Sequence, residues 1–347
     1  MTSRVHGSLQ ADEAARYGRV QDEFVDFSAS LNPFGPPPSV IEAARSADLT
    51  RYPSPDAGEL RQSLAARLAV TPREVLVGNG SSEIFYLLAR AFARTGPGIV
   101  YAPAFGEYAS ALHSTGIEVI ECTARADEGF TWHLEDALAI IAEQRPSIAF
   151  LGSPNNPTGT YLAREDVRRI AAALTDGVLV LDEAYVSFVA EPWRSNRLAP
   201  NVAVVRSFTK DFAIPGLRLG YMVAPRRIVE ATAAQQPSWS VGAPGQAAGL
   251  ACLDERSWLV DTVRRTQEAK TGLVEILTDV RLDVHAGAAN FVLVRVGEAS
   301  KVRRALLERG LVVRDCTSFG LPEHIRIGVR QPDENRRLVD ALIEVLA

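Results

Sequence analysis

The run Ser207-Phe208-Thr209-Lys210-Asp211-Phe212-Ala213-Ile214-Pro215-Gly216-Leu217-Arg218-Leu219-Gly220-Tyr221 is the densest chemistry in this chain. It sets an amine, two hydroxyls and a guanidinium within a short span. One phosphorylated aldehyde can use all of them. Lys210 can condense with the carbonyl. Ser207, Thr209 and Arg218 can bind the phosphate. A Ser-x-x-Lys alone is a weak signal, because a surface lysine beside a turn has the same letters. The sequence around it decides between the two.

Upstream, short apolar runs alternate with amphipathic stretches. Expected strands are Val75–Gly78, Ile99–Ala102, Glu118–Glu121, Ile148–Gly152, Val178–Asp182, Val202–Ser207 and Leu219–Ala224. Expected helices are Ser82–Arg94, Glu107–Ser114, Leu134–Glu143 and Arg164–Leu174. Strands that are apolar throughout, with helices between them, predict an α/β fold. Its mostly parallel seven-stranded sheet is covered on both faces.

Beyond about residue 237 the pattern changes. One helical stretch, Gln246–Leu277, is expected with at most a weak break at Gly272. Short segments follow at Phe291–Val296, Val302–Glu308, Val312–Arg314 and Ile325–Val329, then a last helix, Asp333–Leu346. Three parts are expected: an N-terminal arm over residues 1–40, a large domain over 41–240, and a small α+β domain over 241–347.

The chain has 347 residues, 47% of them hydrophobic and 23% charged, with net charge −5. That is ordinary globular composition with room for a large core. An acidic balance without a basic run argues against nucleic acid or an anionic membrane as a main partner. Cys122, Cys252 and Cys316 are odd in number and unpaired in spacing, which fits reduced thiols in a cytoplasmic protein. Five scattered histidines predict no metal. No apolar run is long enough to span a membrane.

Polar clusters follow several strands, where ligands bind in open α/β sheets. Gly80-Ser81-Ser82 opens a helix and suits a phosphate, though an ordinary N-cap needs the same residues. Ser153-Pro154-Asn155-Asn156-Pro157-Thr158-Gly159 is a rigid turn from which an Asn can reach a phenolate oxygen. Asp182 ends a buried strand and needs a cation or a capping role. Tyr185 lies just beyond it.

In this order, phosphate turn, Asn turn, strand-end Asp, then Lys210, the chain resembles the fold-type I pyridoxal-phosphate enzymes of the aspartate aminotransferase superfamily, over nearly its whole length. The resemblance implies pyridoxal 5′-phosphate as cofactor. It makes Lys210 the lysine that holds the aldehyde and Asp182 the partner of the pyridine nitrogen. Asn156 and Tyr185 then meet O3′. Gly80, Ser81, Ser82, Ser207, Thr209 and Arg218 hold the phosphate, and Tyr108 stacks on the ring. It also implies a homodimer in which Tyr52 is lent to the other subunit's phosphate.

Two branches of the superfamily compete for the reaction. His6-Gly7, Asp26-Phe27-Ser28-Ala29-Ser30-Leu31-Asn32-Pro33, Pro237-Ser238-Trp239-Ser240-Val241, Arg314-Asp315-Cys316 and His324-Ile325-Arg326 resemble L-threonine-O-3-phosphate decarboxylase. Tyr185 resembles histidinol-phosphate aminotransferase. The leading expectation is a decarboxylase of a phosphorylated amino acid, as in cobalamin synthesis, with the aminotransferase as alternative. A non-catalytic cofactor-binding protein is a third reading. Arg314 and Arg326 are the candidates to grip a substrate anion, with His6 and Asn32 beside them. Arg330 is expected in surface ion pairing.

Overall fold

A computed structural model describes residues 8–347. Its larger sheet has seven strands in the order Val75–Gly78, Gly220–Val223, Val202–Ser207, Val178–Asp182, Ile148–Gly152, Gly98–Ala102, Val119–Thr123. All pairings are parallel except those of Gly220–Val223, which runs against both neighbours. The connection into that strand carries only a four-residue helix and two short turns, so the chain doubles back instead of crossing the sheet.

The central strands are apolar on both faces because each face has its own core. Ala149, Leu151, Leu179 and Leu181 enter one cluster; Ile148, Phe150, Val178 and Val180 enter the other. This is the period-two alternation of a strand, with both faces covered by helices. Truncating Phe150, which is fully buried, to alanine would cost about 3–5 kcal/mol.

A smaller antiparallel sheet has the order Arg314–Asp315, His324–Gly328, Phe291–Arg295, Asp283–His285. Helices Arg256–Asp279, Ala299–Glu308 and Pro332–Leu346 supply Leu273, Leu306 and Leu338 to its core. The N-terminal segment joins this unit. Val25–Asp26 pairs in parallel with Leu311–Val312, and Phe27 is buried in the same core.

The expected single helix over 246–277 is two helices, Ala243–Asp254 and Arg256–Asp279. The break falls at Glu255, not at Gly272. The two halves serve different cores. Ala248 and Cys252 pack with Val75 and Val77 of the large sheet, whereas Leu273 and Leu277 pack in the small unit. Gly272 sits inside an unbroken helix, and a Cβ there would meet nothing within 4 Å. By packing, residues 243–254 go with the large sheet rather than with the small unit.

Candidate active site

The carboxyl ends of the parallel strands share one edge of the large sheet. Gly220–Val223 enters at that edge because it is antiparallel: Gly220 pairs with both Gly78 and Ser207. The Lys210 segment, Arg218 and the start of helix Gly80–Phe92 therefore meet there. A cavity of about 780 Å³ opens at the edge, and Arg314, Arg326 and Arg330 of the small unit close its other side.

The phosphate-type donors come together. Ser81, Ser82, Ser207, Thr209 and Arg218 all line the cavity. Gly80 adopts φ +81°, and a Cβ on it would lie 2.7 Å from Arg218 Nη2. A Cβ on Gly220 would lie 2.7 Å from the Ser81 nitrogen. Two glycines thus let a guanidinium and a helix N-terminus approach one point, an arrangement suited to a phosphate.

Asp182 forms another part of the wall and is 7% exposed. Its Oδ2 accepts the Tyr108 hydroxyl at 2.6 Å, and its Oδ1 accepts the Ala184 N–H at 2.9 Å. Burial pushes this carboxyl up to about 6, partly offset by those two hydrogen bonds and by the Lys210 charge. No guanidinium or ammonium bonds Asp182 among the described residues, so a cationic ring N–H would relieve its burial. The chain has three lysines, Lys210, Lys270 and Lys301, and of these only Lys210 lines the cavity. Its Nζ lies 5.8 Å from the ring centroid of Tyr185, itself a wall residue.

Arg314 and Arg326 are opposite each other on adjacent antiparallel strands. Both are at most 5% exposed. Arg326 donates from Nη1 to Asn156 Oδ1 and from Nη2 at 2.7 Å to the Ser28 carbonyl, while its buried Nε–H has no partner in the protein. Arg314 donates at 2.7 Å to Ser318 Oγ, and burial, with the neighbouring Arg326 charge, lowers it to about 10. Two desolvated guanidiniums side by side favour an anion between them.

Other expected residues are placed as follows. Asn32 is absent from the cavity wall. Its amide donates to the Asp211 carbonyl at 3.0 Å and to Thr262 Oγ1 at 2.9 Å, so it braces the Lys210 helix from behind. Tyr108 is 1% exposed and its ring already stacks on Phe150 at 5.4 Å, so its polar tip serves Asp182. Phe105 and Phe319, not singled out from sequence, are half-buried aromatics of this wall. Arg330 pairs with Glu334 at 2.9 Å but does so at the cavity edge, not on the open surface. His6 lies outside the described residues. Tyr52 lies away from this cavity, 83% exposed and against Trp239 at 4.9 Å.

The sequence signature of the aminotransferase class I and II family matches residues 22–342. The chain belongs to that family. A histidinol-phosphate aminotransferase 1 from Thiobacillus denitrificans is 33% identical over 350 residues, covering 98% of this chain and 90% of that protein. The crystal structure of histidinol-phosphate aminotransferase from Sinorhizobium meliloti, in complex with pyridoxal-5′-phosphate, superposes with TM-score 0.86 at 25% identity. It covers 98% of this chain and 95% of that one. L-threonine-O-3-phosphate decarboxylase from Porphyromonas gingivalis superposes with TM-score 0.82 at 29% identity, covering 92% and 98%.

This aminotransferase-family chain is therefore a pyridoxal-phosphate enzyme of fold type I. The cavity fits that cofactor: a phosphate corner at Gly80 and Arg218, a buried carboxylate in want of a cation, and one lysine. The likenesses favour the aminotransferase expectation over the decarboxylase one that led from sequence. Among the described residues no cluster could hold a metal, and no helix is long and apolar enough to cross a membrane.

Proposed function

We propose that this protein is a pyridoxal-phosphate aminotransferase of the histidinol-phosphate type, acting on an amine that carries a phosphate. Lys210 supplies the amine that holds the aldehyde. Asp182 holds the pyridine nitrogen, and Asn156 and Tyr185 hold the ring oxygen. Gly80, Ser81, Ser82, Ser207, Thr209 and Arg218 hold the phosphate. Tyr52 serves the cofactor phosphate of a second copy in a homodimer. The arm, the large unit and the small unit enclose one site between them.

Bound, the cofactor supplies an electron sink that labilises one bond at the substrate's α-carbon, chosen by orientation. The chain's own residues set that orientation. The observation that carries the aminotransferase reading is the hydrogen bond from Arg326 to Asn156. It places an anion-binding guanidinium beside the residue assigned to the ring oxygen. A phosphate gripped there would hold the substrate with its α-hydrogen toward Lys210. Lys210 Nζ would take the α-proton and deliver it to the carbon that carried the aldehyde, after which water releases the keto product and the nitrogen stays with the cofactor. Arg314, opposite Arg326 on the next strand, shares that phosphate.

A second reading is favoured by one observation. The segment Ser28–Leu31, which resembles the decarboxylase signature, lines the cavity and accepts from Arg326. On a substrate that also carries a carboxylate, the same grip on the phosphate leaves that carboxylate free to depart as CO₂. The loaded enzyme is mixed separately with histidinol phosphate and with phosphothreonine, without a keto acid. Conversion of the cofactor to its amine form by histidinol phosphate, with no CO₂ from phosphothreonine, supports the proposal. CO₂ from phosphothreonine, with the cofactor left in its aldehyde form, would replace it with the second reading.

A further inference from the structure

The turn that presents Asn156 ends at Gly159, and Gly159 touches a distant segment of the small unit. A Cβ on Gly287 would lie 2.4 Å from the Gly159 carbonyl carbon, so the two backbones are in direct contact. The Ala288 N–H donates to the Gly159 carbonyl at 2.7 Å. Just beyond, Ala289 and Phe291 pack with Tyr185, whose ring meets Phe291 edge-on at 5.1 Å. The other partner of the Phe291 ring is Arg326, its guanidinium carbon 5.0 Å from the centroid. One short segment thus touches the Asn156 turn, the wall tyrosine and the substrate-side arginine.

Lys270 fixes that segment. It projects from helix Arg256–Asp279 and donates to the Gly287 carbonyl and, at 2.8 Å, to the Ala289 carbonyl. Burial alone lowers its ammonium to about 8, and no carboxylate offsets that cost. A half-buried cation held by carbonyls, with no carboxylate paired to it among the described residues, is poorly explained as an ion pair. It is well explained as a clamp on the two carbonyls that flank the Ala288 amide. The same helix also reaches the large unit, where Gln267 Nε2 donates to the Phe188 carbonyl at 3.2 Å.

We propose that residues 287–291 form a latch that seats the small unit on the cofactor wall, and that Lys270 is its positioning residue. The latch sets how closely Arg326 stands to Asn156. The proposal rests on the reading that Arg326 grips a substrate anion in this cavity. It predicts which changes far from the chemistry act on the substrate and spare the cofactor.

Two variants test it, Gly287→Ala and Lys270→Met. Each is expected to raise the substrate KM by at least about tenfold, since misplacement of about 1 Å can cost that much or more. The cofactor's visible band and affinity stay as in the parent, and Lys270→Arg, which also donates to two carbonyls, recovers KM. Independently of any substrate, amide hydrogen exchange at Ala288 speeds up in Lys270→Met, with and without cofactor. If Gly287→Ala does not fold, Lys270→Met carries the test. If neither substrate reacts, exchange at Ala288 still decides the latch while the functional reading falls. Parent-like exchange at Ala288 in folded Lys270→Met would overturn the proposal, as would a parent-like KM in that variant.

Discussion

Tyr108 donates its hydroxyl hydrogen to Asp182 at 2.6 Å, and both side chains are almost wholly buried. Burial holds the phenol well above its ordinary value, so Tyr108 remains a donor. It also raises the carboxyl, and the tyrosine is the largest influence opposing that rise. The Tyr108 hydrogen bond favours the charged carboxylate at the position proposed for the cofactor's cation. Replacing Tyr108 with Phe removes this donor. A hydrogen bond to a charged group contributes about 1.5–3 kcal/mol, so cofactor affinity should fall by about tenfold or more. Equilibrium titration of the cofactor-free protein reads this directly. The pH midpoint of binding should also move up, and an unmoved midpoint with full affinity would count against the pairing.

Asp182→Asn separates stability from function. The carboxyl is raised in the folded chain from about 3.9 to about 6. Between those values the folded state holds the proton more tightly than the unfolded state does. Its contribution to stability is therefore greatest at the acid end and is lost as pH rises through about 6. Asparagine carries no such charge. Without cofactor, Asp182→Asn should be more stable than the parent above that pH, by up to about 3 kcal/mol, and should show no gain near the acid end. Urea unfolding at several pH values checks this. The same variant should bind cofactor poorly.

Arg326→Ala should act on substrate. It removes the guanidinium that joins Asn156 to Ser28 and leaves Arg314 to hold the anion alone. Losing one partner of a desolvated charge pair costs about 2–5 kcal/mol, so KM should rise by about 30-fold or more. Cofactor affinity should change far less. Equal loss of both would mean that Arg326 serves the fold instead.

Gly80→Ala probes the phosphate corner. The residue has φ +81°, where a side chain is strained, and its Cβ would press on Arg218. Cofactor affinity should fall while the cofactor-free protein loses about 1–2 kcal/mol or less of stability. An unchanged affinity would place the phosphate elsewhere.

The frame of the fold was legible because the central strands are apolar on both faces, and only a covered sheet explains such runs. Strands Ile148–Gly152 and Val178–Asp182 stand where their residues place them. The cluster around Lys210 was legible because its polar residues fall at strand ends. The rest needed three-dimensional information. Asn32 has the chemistry of a substrate ligand, but its amide is already used by Asp211 and Thr262. Tyr108 has an aromatic ring, but Phe150 covers one face of it. The helix break at Glu255 follows from two cores competing for one stretch, while Gly272, the suspected breaker, costs a solvated helix little. The contact of Gly159 with Gly287 joins distant segments and leaves no pattern in either.

The central claim is that Lys210 holds the cofactor. Borohydride reduction of the loaded enzyme, followed by peptide mass mapping, tests it most directly, since the chain has only two other lysines. The phosphopyridoxyl group is expected on Lys210 alone, and none on Lys210→Ala. The group on Lys270 or Lys301, with Lys210 unmodified, would contradict it.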